Sequence, residues 1–178
     1  SEKIATVTPF SNAAGAFSVP ETGKNAPIPE HLSLNAFSHL VDRVSQRDYM
    51  ETPTGNGFCL YIKRQSLNQV GYFDEKTFGT GYGEENDLCM RMLDTGWKHI
   101  IDDSTFIYHK GSASFGEAKE RFIRQNRKLL DIKHPSYTEK VRKFISSPIL
   151  TNIKKRISDS IFLPNSGYIY TRNRILFV

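Results

Sequence analysis

A glycine-dense run, Gly79-Thr80-Gly81-Tyr82-Gly83, passes without a break into Glu84-Glu85-Asn86-Asp87. From there apolar side chains recur at helical spacing, at Leu88, Cys89, Met92 and Leu93, until Gly96 ends the pattern. A permissive loop that opens directly into an amphipathic helix needs a surface on which to bury the apolar stripe. Short strand-like runs lie on both sides: Phe58 to Ile62 before it, His99 to Asp102 and Thr105 to His109 after it. Strands and helices therefore alternate, and the chain reads as α/β.

The rest of the sequence extends that pattern. Ile4-Ala5-Thr6-Val7-Thr8 is a β-rich run that Pro9 should close. Residues 11–30, dense in Ser, Asn, Gly and Pro, read as a long irregular loop. Leu34, Phe37, Leu40, Val41 and Val44 form a helical stripe that Ser33 can cap. Pro53 to Gly57 is a turn, and Lys63 to Val70 a short helix ended by Gly71. Phe122, Ile123, Leu129 and Leu130 predict a further helix. Beyond Pro135, two more follow from Val141, Phe144 and Ile145 and from Ile149, Ile153 and Ile157. Arg174-Ile175-Leu176-Phe177-Val178 is strand-like.

The 178 residues suffice for one domain with a core, and 38% hydrophobic with 24% charged residues is an ordinary globular composition. No apolar run approaches the roughly 20 residues of a membrane-spanning helix. Ser1-Glu2-Lys3 leads straight into a strand-like run rather than a leader. Cys59 and Cys89 sit in apolar patterns and read as small core residues, which suits a reducing, cytoplasmic setting. Charge is uneven: residues 1–116 hold 10 basic and 14 acidic side chains, net −4, whereas residues 117–178 hold 14 and 5, net +9. The basic part lacks regular aromatic interleaving, which argues against nucleic acid. A solvated helical face or an anionic membrane surface remain as readings, the latter at the inner membrane face.

The acidic cluster Glu84, Glu85 and Asp87 is where chemistry is most plausibly placed. Carboxylates in a first helical turn are favoured by the macrodipole, which alone accounts for their presence. Successive helical residues lie about 100° apart, so the three cannot face one way. One can face a cleft as a general base while another braces the backbone. Gly55-Asn56-Gly57 is a second flexible loop, and with Gly83 it allows close approach of a ligand to the backbone. Trp97 is either core or a sugar-stacking platform. His109, followed by Lys110-Gly111-Ser112, is either structural or a metal ligand. No nucleophile elbow, phosphate-cradling loop or zinc-protease helix is present.

Together these residues resemble the family 2 glycosyltransferases, which have a GT-A fold. The stretch runs from Thr54 to Phe115. Arg64, Leu67, Val70, Gly71, Phe73, Asp74 and Glu75 match the family pattern in order, followed by Glu84, Asp87, Leu88, Cys89, Arg91, Gly96, Trp97 and His109. The N-terminal ATVTPFSNAAGAFSVP also looks like the stretch that follows the metal motif in such enzymes.

The resemblance implies a partial GT-A-like, nucleotide-diphospho-sugar transferase fold with a mixed sheet, flanking helices and a C-terminal helical extension. It implies an inverting transferase that moves a sugar from a nucleotide-diphosphate sugar to a saccharide or lipid-linked acceptor, in cell-surface polysaccharide synthesis. Glu85 occupies the position of the family's base, where Asp is commoner. Glu84 would sit beside it at the acceptor site and Asp87 would position the helix. His109 would ligate a divalent metal, Mn or Mg, on the nucleotide diphosphate. The nucleotide-binding half and its Asp-x-Asp motif are not found, so residues 1–116 read as the acceptor-side half of a GT-A domain. Residues 117–170 then form a basic helical extension, and 171–178 resemble the opening strand of a following GT-B-type domain or linker. On that basis the chain is a fragment, inactive alone, whose partner is the N-terminal half of the same polypeptide. The alternative is a non-catalytic, glycosyltransferase-like binding or assembly module.

Overall fold

The computed structural model describes residues 3–23, 27–79, 82–110, 116–162, 168–171 and 174–177, with side chains omitted for 116–120, 162, 168–171 and 174–177. Thr80 and Gly81 of the glycine loop, and Gly111, Ser112 and Phe115 at the end of the family-like stretch, lie outside the described residues. The chain divides into two units. The first comprises Ser1–Thr8, Glu51–Ile100 and Ser112–Ile145, and the second Pro9–Met50, Ile101–Gly111 and Ser146–Val178.

The α/β expectation holds. A four-stranded sheet has the order β2-β4-β1-β3, built from β1 (Ile4–Ser11), β2 (Glu51–Thr52), β3 (Tyr61–Ile62) and β4 (Lys98–Ile107). β3 runs antiparallel to β1 with Thr6 opposite Ile62, and β2 antiparallel to β4 with Thr52 opposite His99. β1 does not stop at Pro9. Pro9 shares the parity of Ala5, whose carbonyl accepts the Lys63 N–H on the β3 side. On that side β3 pairs only with Thr6 and Val7, so the missing proline N–H removes no ladder bond.

Two further expectations change. The run Phe58 to Ile62 is a strand only at Tyr61–Ile62, and Tyr61 is exposed. The Asn56 side chain accepts the Phe58 N–H, and the Asn56 carbonyl the Cys59 N–H, so these groups close a turn instead of a ladder. His99 to Asp102 and Thr105 to His109 are one continuous strand to Ile107, not two, with Tyr108 and His109 beyond its end. The Asp102-Asp103 pair does not break it because both carboxylates are satisfied. Asp102 accepts from the Ser104 N–H and the Ser104 and Thr105 hydroxyls, and Asp103 from the Ser45 hydroxyl and the Tyr49 N–H.

In the first unit α2 (Arg64–Val70) ends at Gly71, as expected, with φ 86°. A short helix that periodicity missed, α3 (Glu75–Phe78), is capped by the Asp74 carboxylate, which accepts the Thr77 N–H. α4 (Glu84–Asp94) buries more than one face. Leu88 and Met92 pack with Ala5 and Trp97, flanked by Ile62, Leu67 and Val70. Met90 packs with Phe78, Leu130 and Tyr137. The helix is thus sandwiched between the sheet and two later helices, α5 (Gly116–Lys133) and α6 (Tyr137–Ile145). On α5, Phe122 and Ile123 are exposed and Asn126 is buried, donating to the Phe78 carbonyl at 2.8 Å.

Asp87, fully buried in the first turn of α4, ties these helices together. Its carboxylate accepts from Arg91 Nε at 2.9 Å, Lys133 Nζ at 2.8 Å and His134 Nε2 at 2.8 Å. Arg91 also donates to the carbonyls of Val70 and Tyr72, at 2.6 and 2.7 Å, and Lys133 reaches Asp74 at 2.8 Å. One carboxylate therefore fixes the start of α4 to the end of α5 and, through its partners, to both ends of the Gly71–Asp74 segment.

The second unit holds α1 (Leu34–Val44), with Ser33 capping through the Ala36 N–H as expected, and α7 (Pro148–Phe162) packed on it. Phe37 meets Phe106 edge-on, ring centres 4.7 Å apart. The loop after β1 contains a 3₁₀ turn, Gly15–Phe17, and Lys154 of α7 donates to the Ala16 carbonyl and the Thr22 hydroxyl. The strand-like tail pairs as a hairpin, β5 (Tyr168–Thr171) with β6 (Arg174–Phe177).

Burial alone would raise the Asp87 pKa, but the Lys133, His134 and Arg91 hydrogen bonds outweigh it and bring the group below its ordinary 3.8. Its stabilising contribution is therefore complete above that value and is lost as pH falls below it. Asp87→Ala, which leaves the buried His134 ring without its acceptor and takes one of several partners from each of Arg91 and Lys133, is expected to cost about 1–3 kcal/mol in urea unfolding at neutral pH. The variant should also show a flatter loss of stability below pH 3.8 than the parent.

Candidate functional site

The first unit concentrates the candidate residues at the N-terminus of α4. Tyr82 and Gly83 both have positive φ, 68° and 130°, and turn the chain sharply into the helix. A Cβ on Gly83 would stand 3.1 Å from the Phe78 ring, so the position favours glycine both in conformation and in space. The Gly83 carbonyl accepts the Asp87 N–H at 2.8 Å and opens the helix. No side chain caps it from Gly83; instead Glu85 folds back, and its Oε2 accepts the Gly83 N–H at 3.3 Å.

Glu85 faces the Gly55-Asn56-Gly57 turn. A Cβ built on Gly57 would lie 3.9 Å from Cγ, Cδ and Oε1 of Glu85, and Gly57 itself is exposed, so the turn forms a bare wall beside the carboxylate. Burial pushes the Glu85 carboxyl above its ordinary 4.5, and the charge of Glu84 pushes it further. Hydrogen bonds from the N–H groups of Glu85, Gly83 and Asn86 offset only part of this. Glu84 Oε2 is shut from solvent and has no hydrogen-bond partner among the described residues. Glu84 and Glu85 are thus two adjacent carboxyls of unlike setting, while Asp87, on another side of the helix, is occupied by Arg91, Lys133 and His134.

The turn is pinned from beneath by Cys89, read from the sequence only as a core residue, and by Thr6, Thr8 and His99, whose role here the sequence did not mark. Cys89 Sγ accepts the Gly55 N–H at 3.4 Å, and Thr8 Oγ1 the Asn56 N–H at 3.2 Å. A Cβ on Gly55 would collide with Leu60 and come within 2.7 Å of Thr8 Oγ1, so only glycine fits there. His99, fully buried, bonds the Cys89 carbonyl through Nε2 at 2.9 Å and Thr6 Oγ1 through Nδ1 at 2.7 Å. A carbonyl only accepts, so Nε2 carries the proton and Nδ1 receives the Thr6 hydroxyl. Burial lowers the His99 pKa below its ordinary 6.5 and keeps the ring neutral at physiological pH. The sequence signal was the alternation Thr6, Thr8 on one side of β1, polar residues facing inward from a buried strand.

Trp97 lies in the core with Ala5, Leu88 and Met92, and its Nε1 donates to Gln69 at 2.9 Å. Its burial gives a packing role and leaves no open ring face for a sugar, which corrects the stacking alternative. Cys59 and Cys89 are free thiols, and only Cys89 is a core residue. His109 belongs to the second unit. Its Nδ1 bonds the Ala13 carbonyl at 2.8 Å, and Asn12 brackets its backbone, accepting the N–H and donating to the carbonyl. A carbonyl only accepts, so Nδ1 carries a proton. Among the described residues, no group of three or more His, Cys, Asp or Glu converges as a metal site.

Comparison with known proteins gives a partial similarity. Over 68 residues the chain is 37% identical to the N-acetylglucosaminyl-diphospho-decaprenol L-rhamnosyltransferase of Mycobacterium tuberculosis strain CDC 1551 / Oshkosh, and equally to that of strain ATCC 25618 / H37Rv. The match covers 37% of this chain and 22% of each relative, so the chain spans well under half the length of the curated proteins it matches. No family model and no solved structure matches. Over that stretch the chain is similar to part of a glycosyltransferase.

Proposed function

We propose that this chain contributes the acceptor side of an inverting, nucleotide-sugar-dependent glycosyltransferase of family 2, with Glu85 as general base. The observation that carries it is the Glu85 carboxyl, raised in pKa by burial and held by the helix start against the bare Gly57 turn. The partial similarity to a rhamnosyltransferase supports the same class. A sugar hydroxyl is a weak nucleophile. A base with a raised pKa that is still ionised near neutral pH accepts its proton more readily as attack proceeds. In the proposed step the acceptor oxygen bonds to the donor's anomeric carbon from the face opposite the leaving group. The bond from that carbon to the diphosphate oxygen breaks, and the acceptor proton passes to Glu85. Glu84 would hold a second hydroxyl of the acceptor. A divalent cation, Mn or Mg, would offset charge on the departing diphosphate.

Glu85→Gln in the intact protein is expected to lower kcat by roughly 10²–10⁴-fold while donor affinity stays near that of the parent. Because burying the ionised carboxylate costs stability at neutral pH, the same variant should unfold at an equal or higher temperature than the parent. Near-normal turnover would remove Glu85 from the role. Gly57→Leu, which places a side chain over the carboxylate without straining the backbone, should raise the acceptor KM roughly 10-fold or more and leave the melting temperature nearly unchanged; an unaltered KM would show that the acceptor does not pass this turn.

A further inference from the structure

The outward face of α5 is built differently from the faces that hold the first unit together. Its inward side carries Asn126 and Leu130, with His134 just past the helix end, all buried. On the opposite side Arg121, Lys128 and Ile132 recur at intervals of seven and four residues, which places them within about 40° of one another around the helix. Ile132 is 77% exposed, and Phe122, 48% exposed, flanks the stripe about 100° round the helix from Arg121, whereas Ile123 lies on the other side. Several cations of α5 and α6 are already neutralised: Arg127 by Asp131, Lys133 by Asp74 and Asp87, Lys143 by Glu139. Arg121, Lys128, Lys140 and Arg142 make no ion pair among the described residues. Residues 117–145 hold nine basic side chains and four acidic ones. No helix among the described residues is long and apolar enough to cross a membrane.

We propose that this face of α5 docks the chain on an anionic bilayer, with Arg121 and Lys128 against lipid phosphates, Ile132 entering the headgroup layer and Phe122 at its edge. Cations without an ion pair among the described residues, beside the exposed Ile132 and Phe122, match such a surface in both charge and hydrophobicity, and each basic residue near it adds to the attraction. The proposal rests on the glycosyltransferase reading only for its purpose, which is to bring the site to an acceptor carried on a lipid, as in the relative's named substrate.

The test is co-sedimentation of the chain with vesicles of phosphatidylcholine alone and of phosphatidylcholine mixed with phosphatidylglycerol, with no sugar donor or acceptor present. Failure here therefore says nothing against Glu85, and failure of Glu85→Gln to affect transfer says nothing against docking. The expected result is binding to the mixed vesicles only, weakened by salt. Joint substitution of Arg121→Glu and Lys128→Glu should lower partitioning by at least about tenfold, whereas Lys76→Glu on α3 leaves it unchanged. Phe122→Ser with Ile132→Ser, which keeps every charge, should also weaken binding and gives a second arm should charge reversal disturb folding. Equal binding by parent and charge-reversed chain, or no preference for the anionic vesicles, overturns the proposal. Concentration-dependent dimerisation that the same substitutions abolish, without vesicle binding, assigns the face to a second copy and overturns it as well.

Discussion

The buried carboxylate of Asp87 is the contact on which the first unit depends. A charge with no solvent exposure is tolerable only when its lone pairs are filled, and here Arg91 of α4, Lys133 of α5 and His134 just beyond it fill them. Because Asp87 stands three residues into α4, fixing it fixes the direction of the helix start. Because Lys133 also holds Asp74, and Arg91 holds the carbonyls of Val70 and Tyr72, the same charges fasten the chain that leads towards the glycine loop. The orientation of Glu85 is a consequence of that web and not of any contact Glu85 makes with a side chain.

Two carboxyls in one helical turn are thereby driven in opposite directions. Asp87 has charged donors and is kept ionised. Glu85 has burial and a like-charged neighbour, and only backbone N–H groups in compensation. The macrodipole acts on both, so the difference comes from what surrounds them rather than from where they stand in the helix. Beneath Glu85, the neutral His99 and the hydroxyls of Thr6 and Thr8 hold the turn without adding charge to the site. The base role proposed for Glu85 draws on a raised proton affinity and an open wall beside it, both found at the N-terminus of α4.

Much of this was legible in the sequence, and the failures have identifiable causes. The cap at Ser33, the stops at Gly71 and Gly96, and the helix from Glu84 follow from local rules that tertiary contacts did not override. Glu85 and Gly57, nearly thirty positions apart, were both marked by residue type, and the fold brings them into contact distance. Long-range pairing was not legible. Asp102-Asp103 looked like a break because nothing local shows that Ser45, Ser104 and Thr105 would satisfy the pair. Phe58 to Leu60 looked like a strand because the turn made by the Asn56 side chain outranks β propensity there. His99 and Thr6 were overlooked because a buried polar pair ninety-three residues apart leaves only a faint trace, one polar residue in each of two apolar runs. Trp97 matched the family pattern and serves the core.

The central claim is that the fold separates the proton affinities of Glu85 and Asp87. Carbon-detected NMR titration of the side-chain carboxyls of the chain itself measures this directly. The expected result is a Glu85 midpoint above 4.5 and an Asp87 midpoint below 3.8. Midpoints at or below 4.5 for Glu85 and at or above 3.8 for Asp87 would contradict the account.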